Sequence, residues 1–462
     1  MHLAPAGADA RTRRSVVLLL VSAFCASAAS LGGVTVLGKQ VYDLTGRELD
    51  LGLLGLAEFA PAALLVFVTG PVADRFDRRR VVVFGAAGEA AVALGLAAYA
   101  ATGPTSVVPI FGLVLAFGVA RAFLAPASRA LPADVVSAAD LPKLVPRWSA
   151  SWQAALIVGP VLLGFLYAAD PVLPYLGMAA LIVVAGVTIA FVHVQPREVA
   201  PRERPSWDQA VQGLRFIRRQ PVLFGAISLD LFAVLFGGVV ALLPAIAEDR
   251  LGVGAVGLGW LRAAGGIGAA VVTLGLAARP LTTRVGRTLL AVVATFGVLT
   301  IVLGVTRSYV VAFLAMAGLS AADAVSVFIR ATLVPLVTPP DMRGRVLAVE
   351  NVFIGASNEL GAFESGVAGQ LLGTAPAVVL GGAATLAVAA IWWWRFPDLR
   401  DVDRFPGGEP VVGSSEGGLG LAAGTAAGGH AGAPGPELRA HRDAAAGAHR
   451  GGGAGAGPEP SE

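Results

Sequence analysis

Residues 51–80 read LGLLGLAEFAPAALLVFVTG and then PVADRFDRRR. The first part carries one charge, Glu58, and is long enough to cross the roughly 30 Å hydrocarbon core of a bilayer as a helix. The second part ends the apolar run with Asp74, Arg75, Asp77, Arg78, Arg79 and Arg80, and a new apolar run starts at Val81. Two spans joined by a short basic turn are the pattern of a chain embedded in lipid. Composition agrees, with 56% hydrophobic and 14% charged residues against about 25% charged in soluble domains.

Working outward from this hairpin, apolar segments recur near 15–39, 51–70, 81–101, 106–128, 147–169 and 173–194, then near 222–246, 255–278, 288–306, 309–333, 346–371 and 375–395. The prediction is an all-α membrane protein with twelve transmembrane helices in two sets of six, 15–194 and 221–395. Residues 1–14 form a cytoplasmic N-terminal tail. Arg11, Arg13 and Arg14 before an apolar run resemble the start of a signal peptide, but the run continues to about Leu37 and is read as a retained first helix.

Between the sets, 195–220 opens with Pro196, Pro201 and Pro205. Trp207, Val211, Leu214 and Ile217 then recur at helical spacing opposite Arg215 and Arg218. An amphipathic helix on the membrane surface and a linker that merely solvates charge both fit. Residues 396–462 are rich in Gly, Ala and Pro and are expected to be a disordered cytoplasmic tail. Lys and Arg set the orientation: almost all fall in connections on the side of the N-terminus, while Lys39, Arg47, Arg250 and Arg307 fall on the other. By the positive-inside rule both termini are cytoplasmic, in a multi-pass cell-membrane protein.

Several functions are excluded or disfavoured. A net charge of +3 with no basic tract argues against nucleic acid. Cys25 is alone, and the five histidines lack ligand spacing, so no metal site is expected. Neither a His-Glu-x-x-His helix nor a glycine-lysine phosphate loop is present, so the chain is not read as an enzyme and no cofactor is implied. Arg129, Ala130 and Val136 recur 201 residues later as Arg330, Ala331 and Val337, a trace of duplication at the ends of spans four and ten.

The turn Gly70-Pro71-Val72-Ala73-Asp74-Arg75-Phe76-Asp77-Arg78-Arg79 resembles the signature of the major facilitator superfamily, with Asp77 where a second glycine is usual. The run Pro340–Val346, followed by Phe353–Gly361, and the run Leu229–Gly238 look like its enterobactin-exporter-like branch. The resemblance covers roughly residues 12–400. It implies two six-helix bundles of the major facilitator fold, alternating access, a monomer, and export of siderophore or drug-like compounds. It also implies a conformational latch, in which Asp74 faces basic partners and the start of span eleven while Gly70 permits close packing. Gly159-Pro160 with Gly164 in span five partly matches the kink motif of proton antiporters, which makes protons the coupling partner. Uptake of a small solute by the same fold remains the alternative.

Ionisable groups within spans are costly, which makes each a functional candidate. They are Glu58, Glu89, Arg121, Asp230, Arg262 and Asp323, joined in the polar span eleven by Glu359 and its neighbour Asn358. On a helical wheel Glu350, Ser357 and Glu364 share one stripe and Glu359 points away from it. Each acid could carry a proton, touch substrate or pair with an arginine. Arg330 is placed at the membrane boundary, and Trp392, Trp393 and Trp394 as an interfacial anchor.

Overall fold

A computed structural model of the chain describes residues 10–194 and 207–406; the side chains of Val66, Phe67, Pro71, Ala73, Asp74 and Trp207 fall outside that description. The first half builds α1 (Ala10–Thr45), α2 (Glu48–Arg75), α3 (Arg78–Ala101), α4 (Val108–Ala130), α5 (Leu141–Ala169) and α6 (Leu173–Ala190). The second builds α7 (Pro221–Phe236), α8 (Gly254–Ala278), α9 (Val285–Val305), α10 (Tyr309–Val337), α11 (Pro340–Leu372) and α12 (Thr374–Arg395). α7 breaks at Gly237-Gly238 and continues through 3-10 and π turns to Arg250. Ten of these elements are long and apolar enough to span a membrane. The polar α11 lies instead against α2, α7 and α12.

The packing repeats with a period of six helices. α1 lies on α5 and α6, α3 on α4 and α6, and α2 on α4; likewise α7 lies on α11 and α12, α9 on α10 and α12, and α8 on α10. The halves meet through α2 with α11 and α5 with α8, pairs that interchange under the same operation. This is the arrangement of two parallel repeats about an axis along the membrane normal. Small residues permit it: a Cβ on Gly32 of α1 would stand 2.6 Å from the Gly159 carbonyl oxygen of α5.

The arginine-rich ends of the bundles stand apart and the far ends are sealed. In α11, Glu359, Gly366 and Gly369 face the first turns of α2, at Gly55, Gly52 and Glu48. Val352, two turns earlier on the same stripe, is 67% exposed. Leu64 of α2 is 80% exposed, and a Cβ on Gly70 would meet nothing within 4 Å. Along α5 and α8 the close approaches run from Gly164 and Ala255 down to Ile157 and Gly266. At the far end Lys39 of α1, 6% exposed, bonds Asp43 on its own helix and Glu248 beyond α7, the latter at 3.0 Å, and Tyr42 bonds Asp249. Thr374 donates to Glu48 at 2.8 Å. The result is a cleft that narrows from the arginine-rich end toward the middle of the bundle pair.

Four expectations change. Residues 396–406 are folded rather than part of a disordered tail. Leu399 is buried, Phe405 meets Phe328 edge-on, and the carbonyls of Val402 and Asp403 accept from Gly286 and Val285, satisfying free N–H groups at the start of α9. The rest of the tail lies outside the described residues, as does 195–206. The linker helix Trp207–Arg219 turns Leu214 and Ile217 onto a cluster with Leu223, Val334 and Val346, so its apolar face meets protein. Trp392 also points inward, donating to the Gly225 carbonyl at 3.0 Å, whereas Trp394 is exposed. Arg330 is 4% exposed and belongs to the interior, because α10 continues beyond it to Val337.

Candidate functional site

At the apex of the cleft Arg121 of α4 reaches three helices. It donates to Ser30 of α1, lies 3.3 Å from Glu58 of α2 and 3.5 Å from Glu89 of α3, and stacks over the Phe117 ring at 5.2 Å. One guanidinium faces two carboxylates, so its charge is spread over an acid pair, and Glu89 Oε1 has no hydrogen-bond donor among the described residues. From the opposite bundle Glu359 of α11 places Oε2 3.1 Å from where a Cβ of Gly55 would stand, close to Glu58. Arg262 of α8 also acts electrostatically on Glu58. Its one hydrogen bond among the described residues is a long 3.5 Å contact to the Val240 carbonyl, in the broken part of α7.

A second charged group lies in the arginine-rich half of the second bundle. Arg330 of α10 bonds Asp230 of α7 at 2.7 Å and stands 4.0 Å from Glu350 of α11; Asp323 is one of the charges around it. These residues tie three helices of the second bundle together. Asp230 is therefore an ion-pair partner, and Asp323 belongs with it rather than with the apex. Asn358 bonds back to the Ile354 carbonyl of its own helix at 2.8 Å and is exposed.

The basic turn has a different local structure from its expected one. Asp77 sits at φ −57°, which any residue adopts, and its carboxylate accepts from the Arg79 backbone N–H at 2.9 Å, capping α3. The missing glycine is thus replaced by an N-cap. Arg78 forms a two-oxygen bridge to Asp134, in the short helix after α4, at 2.8 and 3.0 Å. Arg79 reaches the Val192 carbonyl and Arg75 is exposed. The expected close packing at Gly70 is not made here, since α2 and α11 have parted at that depth; the Asp74 side chain lies outside the described residues. In α5, Gly159 abuts the Ala28 backbone of α1, and Gly164 abuts the Ala255 carbonyl of α8 across the bundles. The helix stays continuous through Pro160.

Sequence reasoning missed the far-end seal, because Lys39 reads as a loop cation and Glu248 and Asp249 as loop acids. The only signal was Lys39 standing one turn before Asp43, inside an apolar run.

Three comparisons bear on this arrangement. The family profile described as Major Facilitator Superfamily matches residues 16–322, well over half of the chain. No curated protein matches. Among solved structures, an auto-inhibited POT family peptide transporter is similar at TM-score 0.66 and 11% identity, over 86% of this chain and 99% of that one. A bacterial homologue of the human lysosomal transporter Spinster, in an inward-facing occupied conformation, gives 0.64 and 14%, over 84% and 98%. The nucleoside transporter NupG gives 0.62 and 16%, over 83% and 100%. At such identities the likeness concerns the fold.

Proposed function

The chain belongs to the major facilitator superfamily, is a transporter rather than an enzyme, and on that premise we propose that it exports siderophore or drug-like small molecules in exchange for protons. One observation carries the reading: a cleft between two bundles, sealed at the far end, with Glu58, Glu89, Arg121, Arg262 and Glu359 gathered at its apex. Charged groups at that depth are costly, and where they line a cleft they mark substrate or ion pathways. The excess of arginine at the open end supports a cytoplasmic opening, with both termini inside and the chain in the cell membrane. Branch membership with enterobactin exporters rests on the runs 229–238 and 340–361.

Of the acids first considered, Glu359 is the better proton carrier, and Glu58, which shares Arg121 with Glu89 at 3.3 and 3.5 Å, is the second. Asp230 is held by Arg330, whereas Glu359 has no ion partner among the described residues and stands where the two bundles separate. Burial favours the neutral form of an unpaired carboxyl, and opening to water favours the charged one, which is what loading and release require.

The test is efflux of dyes, antibiotics and siderophores from proteoliposomes containing a trapped pH dye. Wild type is expected to move at least one compound against an imposed proton gradient. Glu359→Gln should lower the coupled proton flux at least tenfold, and Asp74→Asn should stop cycling. Full coupling in both Glu359→Gln and Glu58→Gln sinks the proton assignment, and accumulation in place of efflux selects uptake.

A further inference from the structure

Charge is compensated unevenly among the arginines within the spans. Arg121 has Glu58 and Glu89, and Arg330 has Asp230 and Glu350. Arg262 has no carboxylate within 4.0 Å among the described residues; its Nε is buried without a partner, and its sole hydrogen bond is the 3.5 Å contact to Val240. Glu359 is an acid with no cation within 4.0 Å among the described residues, its carboxylate laid against the bare backbone of Gly55. Both residues come from the second bundle, α8 and α11, and both lie within electrostatic reach of Glu58 of the first. A half-buried cation and a half-buried anion that each lack an ion partner among the described residues, at the blind end of a cleft, are retained at a cost in stability that a ligand of opposite polarity would offset.

We infer that the transported solute is a zwitterion, with its anionic group held by Arg262 and its ammonium held by Glu359. The inference rests on the exporter reading and supplies its substrate class. It also gives the exchange a physical basis. Glu359 can bond an ammonium as carboxylate or hold a proton, but not both, so binding of one expels the other. Arg262 keeps its charge throughout, and its planar fork suits a carboxylate or phosphate oxygen pair.

The experiment uses purified full-length protein and two charge series. Nε-dansyl-lysine and tryptophan are each compared with the methyl ester (cation), the Nα-acetyl derivative (anion) and the doubly capped neutral form. Dissociation constants are measured at fixed pH. The zwitterion of at least one series should bind at least tenfold more tightly than either singly capped form. Arg262→Gln should bring the zwitterion to the level of the ester and leave the ester unchanged; Glu359→Gln should bring it to the level of the acetyl form. Arg262→Lys, which keeps the charge and loses the fork, guards against a folding defect and should fall between. Equal binding of ester and zwitterion, a zwitterion indifferent to Arg262→Gln, or no binding in either series overturns the inference. Proton exchange in liposomes from the same preparation is read separately. Protons exchanging with a solute whose charge form is irrelevant would leave the exporter reading standing and this one refuted; charge selectivity without proton movement would do the reverse.

Discussion

Arg330 meets carboxylates from two other helices in a place with almost no water. An ion pair of this kind contributes little net stability while intact, since desolvation offsets attraction, but removing one partner leaves uncompensated charge. Arg330→Met should therefore lower stability by about 3–5 kcal/mol, read as a fall in the melting temperature of the purified protein. Adding Asp230→Leu should recover part of the loss, because Glu350, 4.0 Å away, is the weaker contact. A single variant that melts with wild type would mean that the ion pair contributes nothing to stability. Asp77 makes a smaller point: it stands where a glycine is usual, and a residue that caps α3 at negative φ shows why the turn tolerates it.

Among the elements, α5 carries the contact between bundles through Gly164, where a Cβ would come 2.8 Å from the Ala255 carbonyl. Backbone cannot yield as a flexible side chain does, so Gly164→Ala should force α5 and α8 apart at the far end. In a Cys25→Ser background, a cysteine at Val352 reports on the open cleft. Its labelling by a membrane-impermeant maleimide from the arginine-rich side should fall severalfold in Gly164→Ala. Gly70→Ala, with open space around it in this state, should not reduce the labelling, and equal labelling in both variants would place the seal elsewhere. The same reasoning explains the continuity of α5. Pro160 removes one backbone donor, yet the glycine beside it lets α1 pack where a kink would otherwise open.

For the whole molecule the question is what holds the far end shut. Lys39 with Glu248, and Tyr42 with Asp249, join α1 to the segment beyond α7. Each is worth no more than about 1 kcal/mol where partly exposed, and 1.4 kcal/mol is tenfold in an equilibrium. Glu248→Gln combined with Tyr42→Phe should shift the open-cleft population severalfold, with lower Val352Cys labelling and a higher affinity for ligand offered from the far side. Unchanged labelling would leave the glycine contacts as the whole seal.

The all-helical membrane fold, the arginine asymmetry and the family were legible because each is local: an apolar run or a basic turn is a property of consecutive residues. The inventory of buried charges was legible for the same reason, and so was the opposition of Glu359 to the Glu350–Ser357 stripe, since 100° per residue fixes both on one helix. What no local pattern contains is the neighbour each stripe meets. That Arg121 joins Glu58 and Glu89, that Arg330 takes Asp230 a hundred positions away, and that Arg262 and Glu359 are left unpartnered depends on how helices remote in sequence are rotated against one another. Glycine-to-backbone contacts between bundles set those rotations. Only the tertiary structure therefore decides which charges are structural pairs and which remain available to a solute.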